Sequence, residues 1–397
     1  MAKKGMILVL SCFLIGSLTT CQETTDIVKS NNEFSFSIFN KISKYSYGNE
    51  FLSPLSISIA LSMAYDGADG TTADEMKKVL HFNKSQKETH IEYSDLLKYY
   101  NSLNGKEFSI ANAVVTQKDY KFKSSYLKGL KDYNAIFKQG DFSKDGSREQ
   151  VRNEINKWVS DNTNNKIEGL IERQSLSDLT KLVLLNANYF KADWKYKINK
   201  DRTQAMIFYG LENTQYKMDF MNSKERYKYY EDENLRMLEM PYENDRFSLY
   251  LIQPSGDKDF NNFCQTFSYN DYLAAENLMG NTIQINLFVP KFELSTKYYL
   301  KNQLSAMGMP EAFSTKANFK NMTSKNNLLI DNVIHQAFFK IDETGSEASS
   351  ATAVIVNTKS AMISDVRDVA FNNPFIFLIK DNEKKSFIFV GKFTKPY

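Results

Sequence analysis

The sequence predicts an α+β fold, with helices mostly early and strands mostly late in the chain. Three observations carry this. Apolar residues recur at helical spacing up to about position 162, and β-branched and aromatic runs dominate after position 181. Near the C-terminus, two apolar runs are separated by a short polar turn. Nothing divides the 397 residues into units: prolines number 7, glycines 16, and no Ser/Pro/Gly-rich or single-sign charged block separates two halves. Hydrophobic residues make up 42% of the chain and phenylalanines number 29, enough for one large core. Residues 31–397 therefore read as one domain.

Residues 1–20 read as a secretory signal: Lys3 and Lys4 give the positive start, and 6–18 form an apolar run too short to span a membrane comfortably. Leu18-Thr19-Thr20-Cys21 resembles a relaxed bacterial lipobox. On that reading Cys21 is the acylated residue that anchors the protein to a membrane, with 22–30 as a polar tether. An ordinary signal cut elsewhere, or a chance cysteine, is the other reading. Cys12 lies within the signal, so Cys264 is the one thiol of the folded body and no internal disulfide is expected.

Phe34, Ile38, Ile42 and Tyr45 fall on one helical face and predict a helix over 31–47. Ser53-Pro54 supplies an N-cap and a first-turn proline for a second helix that Gly67 closes. Thr72 and Glu75 have capping-box spacing ahead of a short helix through Leu80. Further helices are expected over 88–103 and 148–162. Strands are expected over 181–190, 246–252 and 282–294, followed by a short helix over 298–307 closed by Gly308. The runs 374–379 and 386–390 predict a hairpin around the polar turn 381–385.

The segment 342–360, DETGSEASSATAVIVNTKS, lies between strand-like stretches at 328–341 and 371–380. Its Ser/Ala/Gly content fits a flexible linker. Its order fits something else. In an extended chain Ser346, Ala348, Ser350, Thr352, Val354, Val356 and Thr358 share one face, and all are small or β-branched and uncharged. Glu347 and Lys359 fall on the other face, and no proline removes a ladder donor. Such a segment can enter a sheet as a strand with its uncharged face buried.

Four motifs now resemble one family. Residues 343–353, ETGSEASSATA, resemble the hinge of the reactive-centre loop of inhibitory serpins. FLSPLSISIALSMAYDGADGTTADEM at 51–76 resembles the family's early helix pair, LLNANYFKADW at 184–194 its main-sheet strand and breach, and FNNPFIFLI with FIFVGKF its C-terminal signature. The resemblance implies the serpin fold, about nine helices around three β-sheets with an exposed reactive-centre loop at about 343–367. It also implies a suicide-substrate inhibitor of serine endopeptidases rather than an enzyme. The hinge residues would be Glu343, Gly345, Ser346, Glu347, Ala348, Ser350 and Thr352. Ser53, Ser56, Asn186 and His335 would form a polar cluster beneath the centre of the main sheet, and Trp194 would mark the top, where the loop enters.

Counting fourteen positions from Gly345, as the family pattern implies, puts the reactive bond at Lys359-Ser360. A lysine suits trypsin-like or plasmin-like proteases, whose specificity pocket holds a carboxylate. Shifted bonds after Thr358, Met362 or Arg367 remain open. So do two other functions: a non-inhibitory serpin acting as a binding module, and a cross-class inhibitor of papain-like cysteine proteases.

Other chemistries have little support. The histidines His81, His90 and His335 have no metal-ligand spacing, and no HExxH, G-x-S-x-G, phosphate cradle or dinucleotide fingerprint occurs. Carboxylates such as Glu231 and Glu233 read as solvated surface. A formal charge of +3, two units of it from Lys3 and Lys4, gives no case for nucleic acid. No cofactor or metal is expected. The expected partners are a protease, held as a covalent acyl complex, and a membrane through Cys21. The expected state is a monomer on a bacterial cell envelope.

Overall fold

The computed structural model describes residues 25–103, 108–173, 175–346 and 366–396. Cys21, Glu347, Ala348, Ser350, Thr352, Lys359 and Ser360 lie outside the described residues, as do Thr358 and Met362.

The described residues contain nine α-helices and two extended sheets. One sheet has seven strands. Its path runs Ala135–Gly140, Phe108–Gln117, Leu182–Phe190, Asn332–Ile341, Gly345–Ser346 and Ala192–Asp193, with Phe292–Tyr299 pairing on Asn332–Ile341. The other has nine strands and turns a corner along Gln215–Glu231, whose 17 residues pair with Gln204–Tyr209 and Ile283–Pro290 before its last four pair with Leu235–Pro241. One connected ladder thus does the work of two of the three expected sheets.

The two faces of the main sheet explain its sequence. Ala111, Ala113, Val115, Val183, Leu185, Ala187 and Ile334 pack in one apolar cluster with Val151, Ile155 and Val159 of the helix Asp145–Asn162. The alternate positions Asn112, Asn186, Asn188 and His335 point to the opposite face, toward the helix Pro54–Gly67. That helix is buried on nearly every side, so its serines Ser56, Ser58 and Ser62 each bond a partner within the protein. Below it, Phe51, Phe339, Phe377 and Phe389 stack at centroid separations of 4.8–5.8 Å and join the two sheets. This stack uses the phenylalanine content.

Several expected boundaries shift. The first helix runs Asp26–Ser43 and buries Ile27, Val28 and Ser30, so 26–30 belong to the folded body rather than to a tether. Thr72 lies inside the helix Gly70–Val79 and donates to Glu311 Oε1 instead of capping. A capping box does occur, at Ser85 and Glu88 ahead of the helix Gln86–Asn101. The expected strand over 282–294 is two strands, Ile283–Pro290 and Phe292–Tyr299, because the chain crosses from one sheet to the other at Lys291. The C-terminal hairpin forms as Phe375–Asp381 and Ser386–Phe393.

Candidate functional site

The site is a seam between two parallel strands of the main sheet. Along its middle, Leu182–Phe190 and Asn332–Ile341 are directly bonded, from Asn332 opposite Val183 to Ala337 opposite Asn188. Toward the top the strands part. The dipeptide Gly345–Ser346 fills the gap, with Ser346 opposite both Ile341 and Ala192 and Gly345 opposite Asp193. The chain turns back after Ile341 and enters the gap antiparallel to both neighbours.

Glycine is needed at 345 for clearance. A Cβ there would lie 2.1 Å from the Ala192 carbonyl oxygen and 2.7 Å from Asp193 Cα, both backbone atoms that cannot swing away. Ser346 is fully buried, and its hydroxyl bonds the Tyr242 hydroxyl at 2.5 Å. The Tyr242 ring stacks on Trp194 at 4.5 Å and 9°. Trp194 in turn donates from Nε1 to the Asp342 carbonyl and from its backbone N–H to the Thr344 carbonyl, both at 2.8 Å. Trp194 therefore holds both sides of the turn that delivers the hinge.

Glu343 is also buried. Its Oε1 accepts from the Thr203 hydroxyl at 2.6 Å and from the Lys291 ammonium at 2.9 Å. Burial opposes its charge, but these donors outweigh it and hold the carboxyl below its usual range. Of the expected hinge, Glu343, Gly345 and Ser346 are thus placed together at the top of the seam.

In the middle of the seam His335 is fully buried, and burial pushes its pKa down to about 3, so the ring is neutral. Nε2 accepts from the Ser53 backbone N–H at 3.0 Å, which leaves Nδ1 to donate to Asn186 Oδ1 at 2.8 Å. Asn186 Nδ2 donates onward to Asn112 Oδ1 at 2.7 Å. The His335–Asn186 bond ties the two central strands to each other across the seam.

Ser53 and Ser56 join this cluster less directly than expected. Ser53 sits at the N-cap position but gives its helix no side-chain cap. Its hydroxyl donates to the Ile388 carbonyl and contacts Ser56 Oγ at 3.0 Å. Ser56 reaches the sheet through Asn188 Nδ2. Asn112 and Asn188 are the members that the sequence reading missed. The available signal was a pair of asparagines at inward positions of otherwise apolar strands, ANA at 111–113 and NAN at 186–188.

Beyond the expected loop, Arg367 opens the strand Arg367–Ala370, which pairs with Ile283–Pro290. Its guanidinium bonds Glu231 and lies 4.9 Å from the Tyr229 ring. An arginine held in a ladder and paired on its side chain is a poor candidate for the scissile residue. Glu231 is exposed, as expected of a surface carboxylate, and is paired there to Arg367.

This arrangement can be compared with known proteins. A family model described as Serpin (serine protease inhibitor) matches residues 29–396. A leukocyte elastase inhibitor of Xenopus laevis is 36% identical over 91% of this chain and 97% of its own, and human Serpin B3 is 33% identical over 93% and 99%. Among solved structures, the native thermophilic serpin Tengpin is 27% identical with a TM-score of 0.82, over 94% of this chain and 95% of its own. A thyroxine-binding globulin in complex with thyroxine is 29% identical with a TM-score of 0.81, over 94% of this chain and 100% of that one. The match extends over nearly the whole described chain, and this protein belongs to the serpin family of serine protease inhibitors.

Proposed function

We propose that the protein is a suicide-substrate inhibitor of trypsin-like serine endopeptidases. A protease takes the exposed loop as substrate, its serine attacks the Lys359 carbonyl, and the Lys359–Ser360 bond breaks to leave an acyl-enzyme. Freed at one end, residues 345–359 enter the seam between Leu182–Phe190 and Asn332–Ile341 as a strand. Fifteen residues at ~3.3 Å each span roughly 50 Å, so the tethered protease is carried far from its docking position. New ladder bonds and buried surface supply the driving force, in the manner of other strand-addition and strain-release systems.

The single observation that carries this reading is the position of Gly345–Ser346. The first two residues of the proposed strand already occupy the top of the seam, and Ser346, the one side chain they contribute, is small, uncharged and fully buried. The roles of Glu347, Ala348, Ser350 and Thr352 as the rest of the hinge, and of Cys21 as a lipid anchor on a bacterial envelope, belong to the same proposal. They rest on the resemblance of 343–353 to the hinge of inhibitory serpins and of Leu18-Thr19-Thr20-Cys21 to a lipobox.

The likeness to a thyroxine-binding globulin in complex with thyroxine favours a second reading, a non-inhibitory binding module. Incubation with trypsin separates the two. An inhibitor forms a complex that survives denaturing electrophoresis, releases a fragment beginning at Ser360 by mass spectrometry, and leaves a cleaved chain with a sharply raised melting temperature. A binding module is cut without complex or stabilisation, and that result overturns the proposal.

A further inference from the structure

Outside the seam, the described residues hold one histidine that bridges two carboxylates. His90, on the helix Gln86–Asn101, places Nδ1 2.6 Å from Asp66 Oδ2 and Nε2 3.1 Å from Asp132 Oδ2. Asp66 ends the helix Pro54–Gly67, and Asp132 lies on the 3-10 turn Leu130–Tyr133. The next residue, Tyr133, donates its hydroxyl to the same Asp66 oxygen at 2.9 Å, contacts Ser62 Oγ at 3.0 Å, and sets its ring edge-on to His90 at 5.0 Å. Three elements thus meet on one imidazole. Lys123 and Tyr126 line the adjoining cavity of about 430 Å³.

The clasp is continuous with the seam by two routes. The helix Pro54–Gly67 carries Asp66 at one end and, at the other, Ser53, whose N–H bonds His335. Tyr133 also leads into the strand Ala135–Gly140, in which Ala135 pairs with Asn112, and its carbonyl lies 3.5 Å from Asn112 Nδ2. From Ser53 N–H through His335, Asn186 and Asn112 to the Tyr133 carbonyl, each donor points the same way along the chain.

We infer that His90, Asp66, Asp132, Tyr133 and Asn112 are positioning residues for strand insertion, and that the protonation of His90 sets how readily the seam opens. This rests on the loop-inserting function proposed above. A protonated imidazole donates to Asp66 and Asp132 together, whereas a neutral one carries a single N–H and must release one of them. Releasing Asp132 frees the turn that holds Tyr133, and with it the backing of Asn112 behind the Asn186–His335 bond. The charged groups facing His90 are Asp66 and Asp132, with Lys123 across the cavity and Tyr126 and Tyr133 alongside. Hydrogen bonding to Asp66 raises the His90 pKa to about 8, so the change falls in an accessible range.

The test is the rate of loop insertion after a fixed proteolytic cut, followed by Trp fluorescence between pH 6 and 9.5, for the wild-type chain, His90→Gln and Asp132→Asn. Inhibition itself is recorded in parallel at one pH. The wild-type rate should rise about 2–5-fold, the order that losing one half-exposed ion pair allows, with a midpoint near pH 8. His90→Gln and Asp132→Asn should both be fast and flat across the range. A wild-type profile without a step near pH 8, or a step retained in His90→Gln, overturns the inference while leaving the inhibitory function standing. Absence of any insertion in the wild-type chain overturns both.

Discussion

The top and the middle of the seam solve the same problem in opposite ways. At the top the two central strands are already apart, and Gly345–Ser346 holds the space between Ile341 and Ala192–Asp193. In the middle they are closed by direct pairing and by the His335–Asn186 bond. The top is kept by packing and shape: a glycine with no room for a Cβ, a Trp194–Tyr242 stack and a buried serine. The middle is kept by polar groups whose bonds can be exchanged one for another. On the proposed loop insertion, entry at the top needs only a suitable side chain, whereas progress past the middle needs bonds to break. A fold that is to open once, and only on cleavage, gains from keeping those two requirements apart.

Replacing the occupant of the top slot should have the largest effect. Ser346 is fully buried against Tyr242, and Ser346→Arg puts an unpaired cation where desolvating it costs several kcal/mol. The hinge should be expelled and insertion blocked. The denaturant-stable complex with trypsin should fall at least tenfold on gels while cleavage of the loop continues. A complex formed undiminished by Ser346→Arg would falsify the claim that this slot is the entry point.

The middle should respond to acid instead. His335 is held neutral by burial, with its pKa lowered from 6.5 to about 3. As pH falls below 6.5 the unfolded chain takes up this proton while the folded chain does not. Stability is therefore lost between about pH 6.5 and 3, by roughly 4–5 kcal/mol at 1.36 kcal/mol per pKa unit. His335→Gln, which cannot titrate, should start less stable at pH 7 but lose less on acidification. Chemical denaturation at pH 7 and pH 4 measures the difference. Equal acid losses in the two proteins would show that another group governs the middle of the seam.

The two regions also differed in how well the sequence disclosed them. The slot at the top was legible because its requirement is steric and local: a glycine followed by small alternating residues is visible without knowing the fold, whereas Trp194 was placed there by resemblance. Ser53, Ser56, Asn186 and His335 were placed by resemblance, and the route by which they connect was not. Ser53 reads locally as a helix cap, yet its hydroxyl is spent on the Ile388 carbonyl, a partner 335 positions away. Asn112 and Asn188 enter the cluster only because strands far apart in sequence fall into register, Asn112 opposite Asn186 and Asn188 opposite Ala337. Thr72 misled for the same reason: its capping spacing is genuine, but Glu311 from a distant turn claims its hydroxyl. Period and propensity report on near neighbours, and a polar cluster assembled across a sheet is decided by far ones.

The smallest effect, and the sharpest test of how the top is held, is expected from Trp194. Trp194→Phe keeps an aromatic ring over Tyr242 but removes the Nε1 donor to the Asp342 carbonyl, one neutral hydrogen bond worth about 1 kcal/mol. The intact variant should melt only slightly lower, because the backbone bond from residue 194 to the Thr344 carbonyl remains. Its hinge should nevertheless leave the slot more often, which limited proteolysis near residue 346 would register as faster cutting. The chain has two tryptophans, and the half-exposed Trp158 lies on the helix Asp145–Asn162 across the sheet, so wild-type fluorescence carries both signals and the variant isolates that of Trp158. If stacking alone fixes the turn, melting and cutting rates should both match the wild-type chain. If the indole N–H is what holds Asp342 in place, cutting should accelerate severalfold while the melting temperature scarcely moves.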